Sequence, residues 1–194
     1  MQHQIKSIVT ISILLITIIS LHTGFTNEKD ELLEIISKYY GINPLYTPLL
    51  EEGIKDIENA IQKYPESKYL ANGYYQSGYL KFKMGRYKDA LNEFRKVKTV
   101  PEASERLLIA TQNMIGQSLR YMCRKDEAIS AFGELARMTD EVNIIESFQN
   151  RSFKKEMALA AHVYKAELYT EKSIYDQAIR EYEQFISLKP SGDK

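Results

Sequence analysis

Apolar side chains recur at helical spacing through most of the chain. Positions i, i+3, i+4 and i+7 are apolar in the segment that starts at Tyr87 and in the segment that starts at Tyr175. This spacing places the four side chains on one face of an α-helix and leaves the other faces polar. No segment has the pattern of a credible strand. We therefore expect about eight helices and no strands after residue 26.

Three segments, residues 74–97, 112–135 and 162–185, share one pattern of small and aromatic residues. In each, a small residue is followed by an alanine twelve positions later and by an aromatic residue four positions after that. The small residues should let two antiparallel helices approach closely, and the aromatic ring should fill the space toward the next pair. These repeat-packing positions are Gly78, Ala90 and Phe94; Gly116, Ala128 and Phe132; and Ala166, Ala178 and Tyr182.

Residues that favour turns and caps mark the helix ends. The first helix of each segment should end near Gly85, Cys123 or Ser173, and Gly85 suits a left-handed closing residue. Ser67 is predicted to cap a helix that starts at Lys68. Thr47 before Pro48 predicts another helix start, and residues 28–41 read as one more helix that ends at Gly41.

The three segments resemble tetratricopeptide repeats, which have a small residue in the first helix and an alanine plus an aromatic residue in the second. Pro190 stands where that family has its closing proline, and Gly53, Ile57, Ala60 and Pro65 match the second helix of an incomplete earlier unit. The units are longer than the family's ~34 residues, with an extra stretch around Thr139–Ser152. The predicted units are about 45–66 (partial), 69–101, 107–139 and 157–190.

The resemblance implies an all-α fold, a right-handed α-solenoid of antiparallel helix pairs over residues 27–194. The sequence of residues 63–97 also resembles that of bacterial envelope repeat proteins, namely the BamD-like lipoproteins and the Tol–Pal coordinator family. The resemblance further implies a protein or peptide partner, held in the concave groove of the array. No cofactor is implied.

The first 26 residues are predicted to direct export. Residues Ile8 to Leu21 are uncharged and follow Lys6, which is the layout of a secretory signal peptide. As a helix they would span about 21 Å, short of the ~30 Å hydrocarbon core, which favours cleavage over a stable membrane span. An uncleaved membrane anchor stays open as the alternative. We expect the periplasm or cell envelope, with membrane association only through this segment.

Composition argues against several classes of function. The 26 basic residues balance 26 acidic ones, so the basic excess of a nucleic-acid-binding protein is missing. Cys123 is the single cysteine, and His162 is the only histidine outside the first 26 residues. A metal site, a catalytic relay and a phosphate-binding loop are therefore not predicted. Asn150-Arg151-Ser152 matches a glycosylation sequon, which a short triplet can do by chance.

The family's groove positions give the candidate binding residues. They are Tyr75, Tyr79, Phe82, Asn113, Gln117, Arg120, Val163 and Glu167. Rings offer contact area with little rotamer entropy, and amides can pair with a peptide backbone. The alternative is that Tyr79 and Phe82 pack only between units. The cationic clamp of the chaperone-binding members is absent, since its positions hold Tyr75, Tyr79, Met114, Ala160 and Tyr164.

Three functions remain open from the sequence. The first is a non-catalytic scaffold that binds other proteins in the bacterial envelope. The second is a helical accessory domain of a cell-wall enzyme complex, with the catalytic groups on another chain. The third is a self-associating structural protein, because the last predicted helix keeps an apolar face that a homo-oligomer could cover.

Overall fold

The computed structural model describes residues 31–40, 47–140 and 148–188. Within these ranges every regular element is a helix, so the prediction of an all-helical protein is confirmed. The predicted export segment 1–26, the helix-ending Gly41 and Pro190 lie outside the described residues. The helices are α1 (31–38), α2 (Thr47–Lys63), α3 (Leu70–Lys83), α4 (Tyr87–Val97), α5 (Glu105–Tyr121), α6 (Lys125–Asp140), α7 (Phe148–Glu171) and α8 (Tyr175–Leu188).

The helices form a row of hairpins in two layers. Pairs α3–α4, α5–α6 and α7–α8 are the hairpins, and α4 packs on α5 and α6 on α7 to join them. The first helices also meet, α3 with α5 and α5 with α7, whereas α4, α6 and α8 do not contact one another. An array whose first helices lie closer together than its second helices curves toward the first helices. Helices α3, α5 and α7 therefore line the concave side.

Glycine against an aromatic ring sets the distance between paired helices. A Cβ atom at Gly78 would lie 2.8 Å from Cε1 of Phe94, and one at Gly116 would lie 2.5 Å from Cε1 of Phe132. Both rings are fully buried. The Phe132 ring also meets the Tyr164 ring of α7, with 4.9 Å between centroids. The aromatic residue thus fills the space inside its own hairpin, and Phe132 also reaches the next one.

The same contact recurs at the amino-terminal end of the row. A Cβ atom at Gly53 in α2 would lie 2.7 Å from Cδ1 of Tyr39, which follows α1. The Tyr39 ring is buried, and its hydroxyl donates a hydrogen bond of 2.5 Å to Asp56 Oδ2. A close approach of helix backbone to a ring therefore joins α1 and α2 as well.

Each hairpin turns through one residue with a left-handed backbone. The φ angles are +75° at Gly85, +58° at Cys123 and +60° at Ser173, so all three predicted helix ends have the same conformation. This conformation lets the following amide bond to the carbonyl five residues earlier, which closes the helix end. The bonds are Arg86 N–H to Lys81 O, Arg124 N–H to Leu119 O and Ile174 N–H to Tyr169 O, at 2.9 to 3.0 Å.

One predicted helix boundary was wrong. Ser67 does not cap a helix at Lys68, because its hydroxyl accepts the Tyr69 amide at 3.2 Å within a turn, and α3 begins at Leu70. The extra stretch is partly helical, because α7 already starts at Phe148. A capping serine that the sequence analysis missed is Ser104, whose hydroxyl accepts the Leu107 amide at the start of α5.

Helix α8 is the last described helix of the row and is less buried than the others. Ala178 is its single fully buried residue in the described part, at 3% exposed. Tyr182, predicted as a repeat-packing residue, is 40% exposed because no described helix lies on its outer side. No helix in the described ranges has the length and apolarity needed to cross a membrane.

Gly116→Ala is expected to lower the free energy of unfolding by about 1–3 kcal/mol, because the added methyl group overlaps the buried Phe132 ring. Gly133→Ala in the neighbouring helix α6 is the matched control, since a Cβ atom there meets nothing within 4 Å. The control should stabilise the protein by about 0.5–1 kcal/mol through helix propensity. Urea unfolding followed by circular dichroism measures both, and equal effects would contradict the packing argument.

Candidate protein-binding groove

Three first helices supply the predicted groove residues. All eight lie on helices α3, α5 and α7, and each of them is partly buried, so none is sealed in the core and none is fully exposed. Helix α3 contributes Tyr75, Tyr79 and Phe82; α5 contributes Asn113, Gln117 and Arg120; and α7 contributes Val163 and Glu167. The groove therefore has an aromatic wall, an amide centre and a charged wall.

The aromatic wall begins with two tyrosines stacked along α3. The rings of Tyr75 and Tyr79 are nearly parallel, with centroids 6.5 Å apart, and Tyr75 also meets Phe94 at 5.8 Å. Burial, with smaller contributions from neighbouring Tyr79 and Tyr40, raises the pKa of Tyr75 to about 12. Tyr75 is therefore mainly a packing residue that supports the wall. Tyr79 contacts no ring of the next hairpin in the described residues.

Phe82 joins two hairpins instead of facing a free surface. Its ring meets Tyr87 edge-on at 5.3 Å and Tyr121 edge-on at 5.5 Å, while Tyr87 and Tyr121 stack at 4.8 Å. Phe82 thus packs between neighbouring repeat units, which is the alternative that the sequence left open for it. Tyr121 at the rim is 57% exposed and was not among the predicted groove residues. Tyr121 directly follows the predicted groove residue Arg120, so the repeat spacing did not mark Tyr121 as a groove position.

The amide centre holds a buried oxygen without a hydrogen-bond donor. Oδ1 of Asn113 is buried, and no described group donates to it. The adjacent Gln112 is fully paired: its amide nitrogen donates to Ala131 O at 2.9 Å, and its oxygen accepts from Lys98 Nζ at 3.1 Å. Leaving a buried acceptor unpaired costs about 1–3 kcal/mol, so such groups usually have a use or a bound partner.

The charged wall is one ion pair between two helices. Nη2 of Arg120 lies 2.7 Å from Oε2 of Glu167, which ties α5 to α7 across the groove. The Arg120 guanidinium also lies 5.3 Å from the centroid of the Tyr164 ring. The side chains stay 29% and 38% exposed, so both charges can reach a ligand. The sequence analysis named Tyr164 only as a residue that replaces a cation of the chaperone-binding clamp. Its contact with Arg120 could not be predicted, because that contact depends on how α5 and α7 pack.

Residues 71–103 match the family model described as tetratricopeptide repeat. The chain contains a tetratricopeptide repeat. The match covers nearly all of α3, α4 and the turn after α4, and the α5–α6 hairpin repeats its left-handed turn and its glycine–ring contact. Together these observations support a tetratricopeptide-repeat protein with a solenoid fold. No curated protein matches the chain.

Tetratricopeptide repeats generally mediate contacts between proteins, and proteins built from them are typically non-catalytic scaffolds. The described residues contain no group of three or more His, Cys, Asp or Glu side chains that could hold a metal. His162 serves the repeat array. Its Nδ1 lies 2.7 Å from Oε2 of Glu181, and Lys165 Nζ lies 2.5 Å from Oε1 of the same carboxylate, so the three residues clamp α8 onto α7.

Asn113→Leu is expected to raise the free energy of unfolding by about 1 kcal/mol, because it removes an unpaired buried acceptor at similar side-chain volume. Gln112→Leu is the matched control and should destabilise the protein, since it leaves Ala131 O and Lys98 without their partner. Thermal unfolding of the purified variants decides it. A destabilised Asn113→Leu protein would show that the asparagine supports the fold and is not held for a ligand.

Glu181→Gln should change how stability depends on pH. Burial raises the pKa of Glu181, but hydrogen bonds and charges from His162 and Lys165 outweigh it and lower that pKa. The stabilisation is therefore complete above the unfolded value of about 4.3 and is lost as pH falls through the folded pKa. Melting temperatures measured from about pH 7 down to pH 2 should fall less steeply in the variant. The exposed Glu183→Gln variant serves as control, and parallel curves for Glu181→Gln and wild type would refute the assignment.

Proposed function

We propose that this protein is a non-catalytic scaffold that holds a segment of another polypeptide in the groove lined by α3, α5 and α7. The observation that carries the proposal is the unpaired, buried oxygen of Asn113 at the centre of that groove. A peptide backbone carries one N–H donor per residue, and it can supply the missing hydrogen bond once the partly exposed Asn113 side chain rotates toward the groove. The free protein therefore keeps a polar group whose cost a bound polypeptide would remove.

The two walls complement such a segment in different ways. The partly exposed Tyr79 ring, which stacks along α3, offers apolar area on which a side chain of the partner can pack. On the opposite wall Arg120 and Glu167 neutralise each other, so the groove has no net charge to select an acidic or basic peptide by attraction alone. Recognition then depends on backbone hydrogen bonds and on apolar side chains. An extended or helical segment of mixed charge fits this surface.

The proposed location is the bacterial cell envelope. Its support is the apolar, uncharged stretch from Ile8 to Leu21 behind Lys6, together with the likeness of residues 63–97 to envelope repeat proteins. A scaffold of this kind would act in the periplasm or at the membrane face. Fractionation of cells that produce the full chain, probed with an antibody against the repeat domain, tests the location separately from the binding mode.

A photo-crosslinking amino acid at Gln117 is expected to capture a polypeptide partner in the producing cells, because Gln117 lies on α5 in the middle of the groove. The same amino acid at Ser130, which is exposed on α6, is the matched control and should not capture that partner. Gel shifts and mass spectrometry identify the product. Capture of the same partner at equal yield from both positions would contradict groove binding.

A second variant links the captured partner to the groove chemistry. Asn113→Leu should reduce crosslinking at Gln117 although it stabilises the free protein, since it removes the acceptor that the partner's backbone needs. An unchanged yield with this variant would show that the partner does not use the amide centre. Circular dichroism of each variant confirms that the fold is retained.

A further inference from the structure

Helix α8 presents a row of apolar side chains on its outer face. Tyr175, Ile179, Tyr182 and Ile186 are spaced by four, three and four residues, and they are 60%, 55%, 40% and 66% exposed. This spacing puts them in one ridge along the helix. Among the described elements α8 packs on α7 only, so nothing described covers the ridge. We name these four residues the α8 ridge.

The inner hairpins show what covers the same positions elsewhere in the molecule. Ile179 occupies the position of Leu91 in α4, which is 1% exposed under α5. Tyr182 occupies the position of Phe94 and Phe132, which are both fully buried. In each inner hairpin the cover is the first helix of the following pair. The α8 ridge is therefore shaped to receive a helix in the place that α5 has on α4 and α7 has on α6.

Tyr175, at the start of the α8 ridge, indicates which residue the covering helix should have near its carboxyl end. Tyr87, at the position equivalent to Tyr175, stacks on Tyr121 at the end of α5, with 4.8 Å between centroids. At the next interface the equivalent pair is Lys125 with Glu171 of α7, at 3.0 Å. The same geometry thus accepts a stack in one case and an ion pair in the other. Since Tyr175 carries a ring, an aromatic residue is the matching choice.

Asp176, the residue after Tyr175, indicates that the covering helix should carry a positive charge. Asp126, at the position equivalent to Asp176, forms an ion pair with Lys172, the first residue after α7. Asp176 is exposed at the border of the α8 ridge, and Glu183 lies seven residues further along the same border. Arg180 is exposed between them on the same side, so each copy has one net negative charge along this border. An antiparallel pair of α8 helices would bring the two negative borders to one edge, where they repel. The charges therefore favour a basic partner over a second α8.

We propose that the α8 ridge binds an amphipathic helix of a partner polypeptide, with an aromatic residue followed by Lys or Arg near its carboxyl end. The aromatic residue stacks on Tyr175 and the cation pairs with Asp176. The apolar face of the helix covers Ile179 and Tyr182 in continuation of the repeat array. This surface is separate from the groove, so each can be occupied without the other.

The test uses a peptide of this chain's own α5, because α5 covers the equivalent ridge that contains Tyr87, Leu91 and Phe94. Two peptides of residues 103–124 are synthesised, one with Met122→Lys and one with Met122→Glu. A lactam bridge on the solvent side keeps each peptide helical. Binding of each peptide to the full protein is followed by fluorescence anisotropy. The Lys peptide should bind about threefold or more tightly than the Glu peptide, because its cation follows Tyr121 and meets Asp176. The Asp176→Lys protein should reverse that order.

Protein variants show whether the peptides bind on the ridge. Ile179→Asp should weaken the Lys peptide about tenfold or more, since it puts a charge into the apolar contact. Gln184→Asp, on the exposed side of α8 away from the ridge, should change binding less than about twofold. Circular dichroism checks the fold of each variant, and Ile186→Asp repeats the test at the most exposed ridge position.

Two results would overturn the proposal. One is the absence of saturable binding of either peptide to the folded protein. The other is a concentration-dependent dimer in sedimentation velocity that Ile179→Asp dissolves, because a second copy would then be the natural cover of the ridge. Loss of the ridge interaction should leave Gln117 crosslinking in the groove unchanged, so failure of this proposal is distinguishable from failure of the groove.

Discussion

A helix backbone lying directly against an aromatic ring is the contact on which this structure depends. It occurs between Gly53 and Tyr39, between Gly78 and Phe94, and between Gly116 and Phe132, where any Cβ atom would come within 3 Å of the ring. The absence of a side chain lets paired helices approach, and the ring then fills the volume at interior packing density. Since these three helix pairs are fixed in this way, they can stack at a regular interval.

The last hairpin departs from the rule, and its surface changes with it. Ala166 stands where the other hairpins have glycine, so this hairpin lacks the contact of a glycine with a ring. The corresponding ring, Tyr182, is 40% exposed. Fastening α8 to α7 then depends more on the buried Ala178 and on the carboxylate of Glu181 between His162 and Lys165. Polar contacts thus supplement a packing contact that this hairpin cannot make.

The sequence predicted the parts of the fold that depend on local spacing. The helix ends near Gly85, Cys123 and Ser173 follow from the alignment of the repeats, although a left-handed backbone was expected only at Gly85. The start of α7 could not be predicted in the same way, because the earlier units offer no equivalent for residues 148–154. Where an element departs from the repeat, internal comparison gives no information about it.

In the candidate groove, too, residue positions could be predicted from the sequence, whereas hydrogen-bond partners could not. Repeat positions predicted eight groove residues, and all eight lie partly buried on the first helices α3, α5 and α7. They could not predict that Gln112 is satisfied while Asn113 beside it is not, because the partners of Gln112 come from α6 and from the turn after α4. Hydrogen-bond satisfaction depends on three-dimensional neighbours, and it is the property that separates a packing amide from a candidate binding amide.

The interfaces between hairpins show how such an array combines a constant shape with variable chemistry. At one equivalent position the contact is the Tyr87–Tyr121 stack, and at the next it is the Lys125–Glu171 ion pair. The helices keep the same arrangement in both cases because the glycine–ring contacts inside the hairpins, not these rim pairs, fix the geometry. Rim residues are therefore free to differ, and their differences determine which helix can lie beside which. In our proposal, the same positions on α8, the last described helix, select the partner.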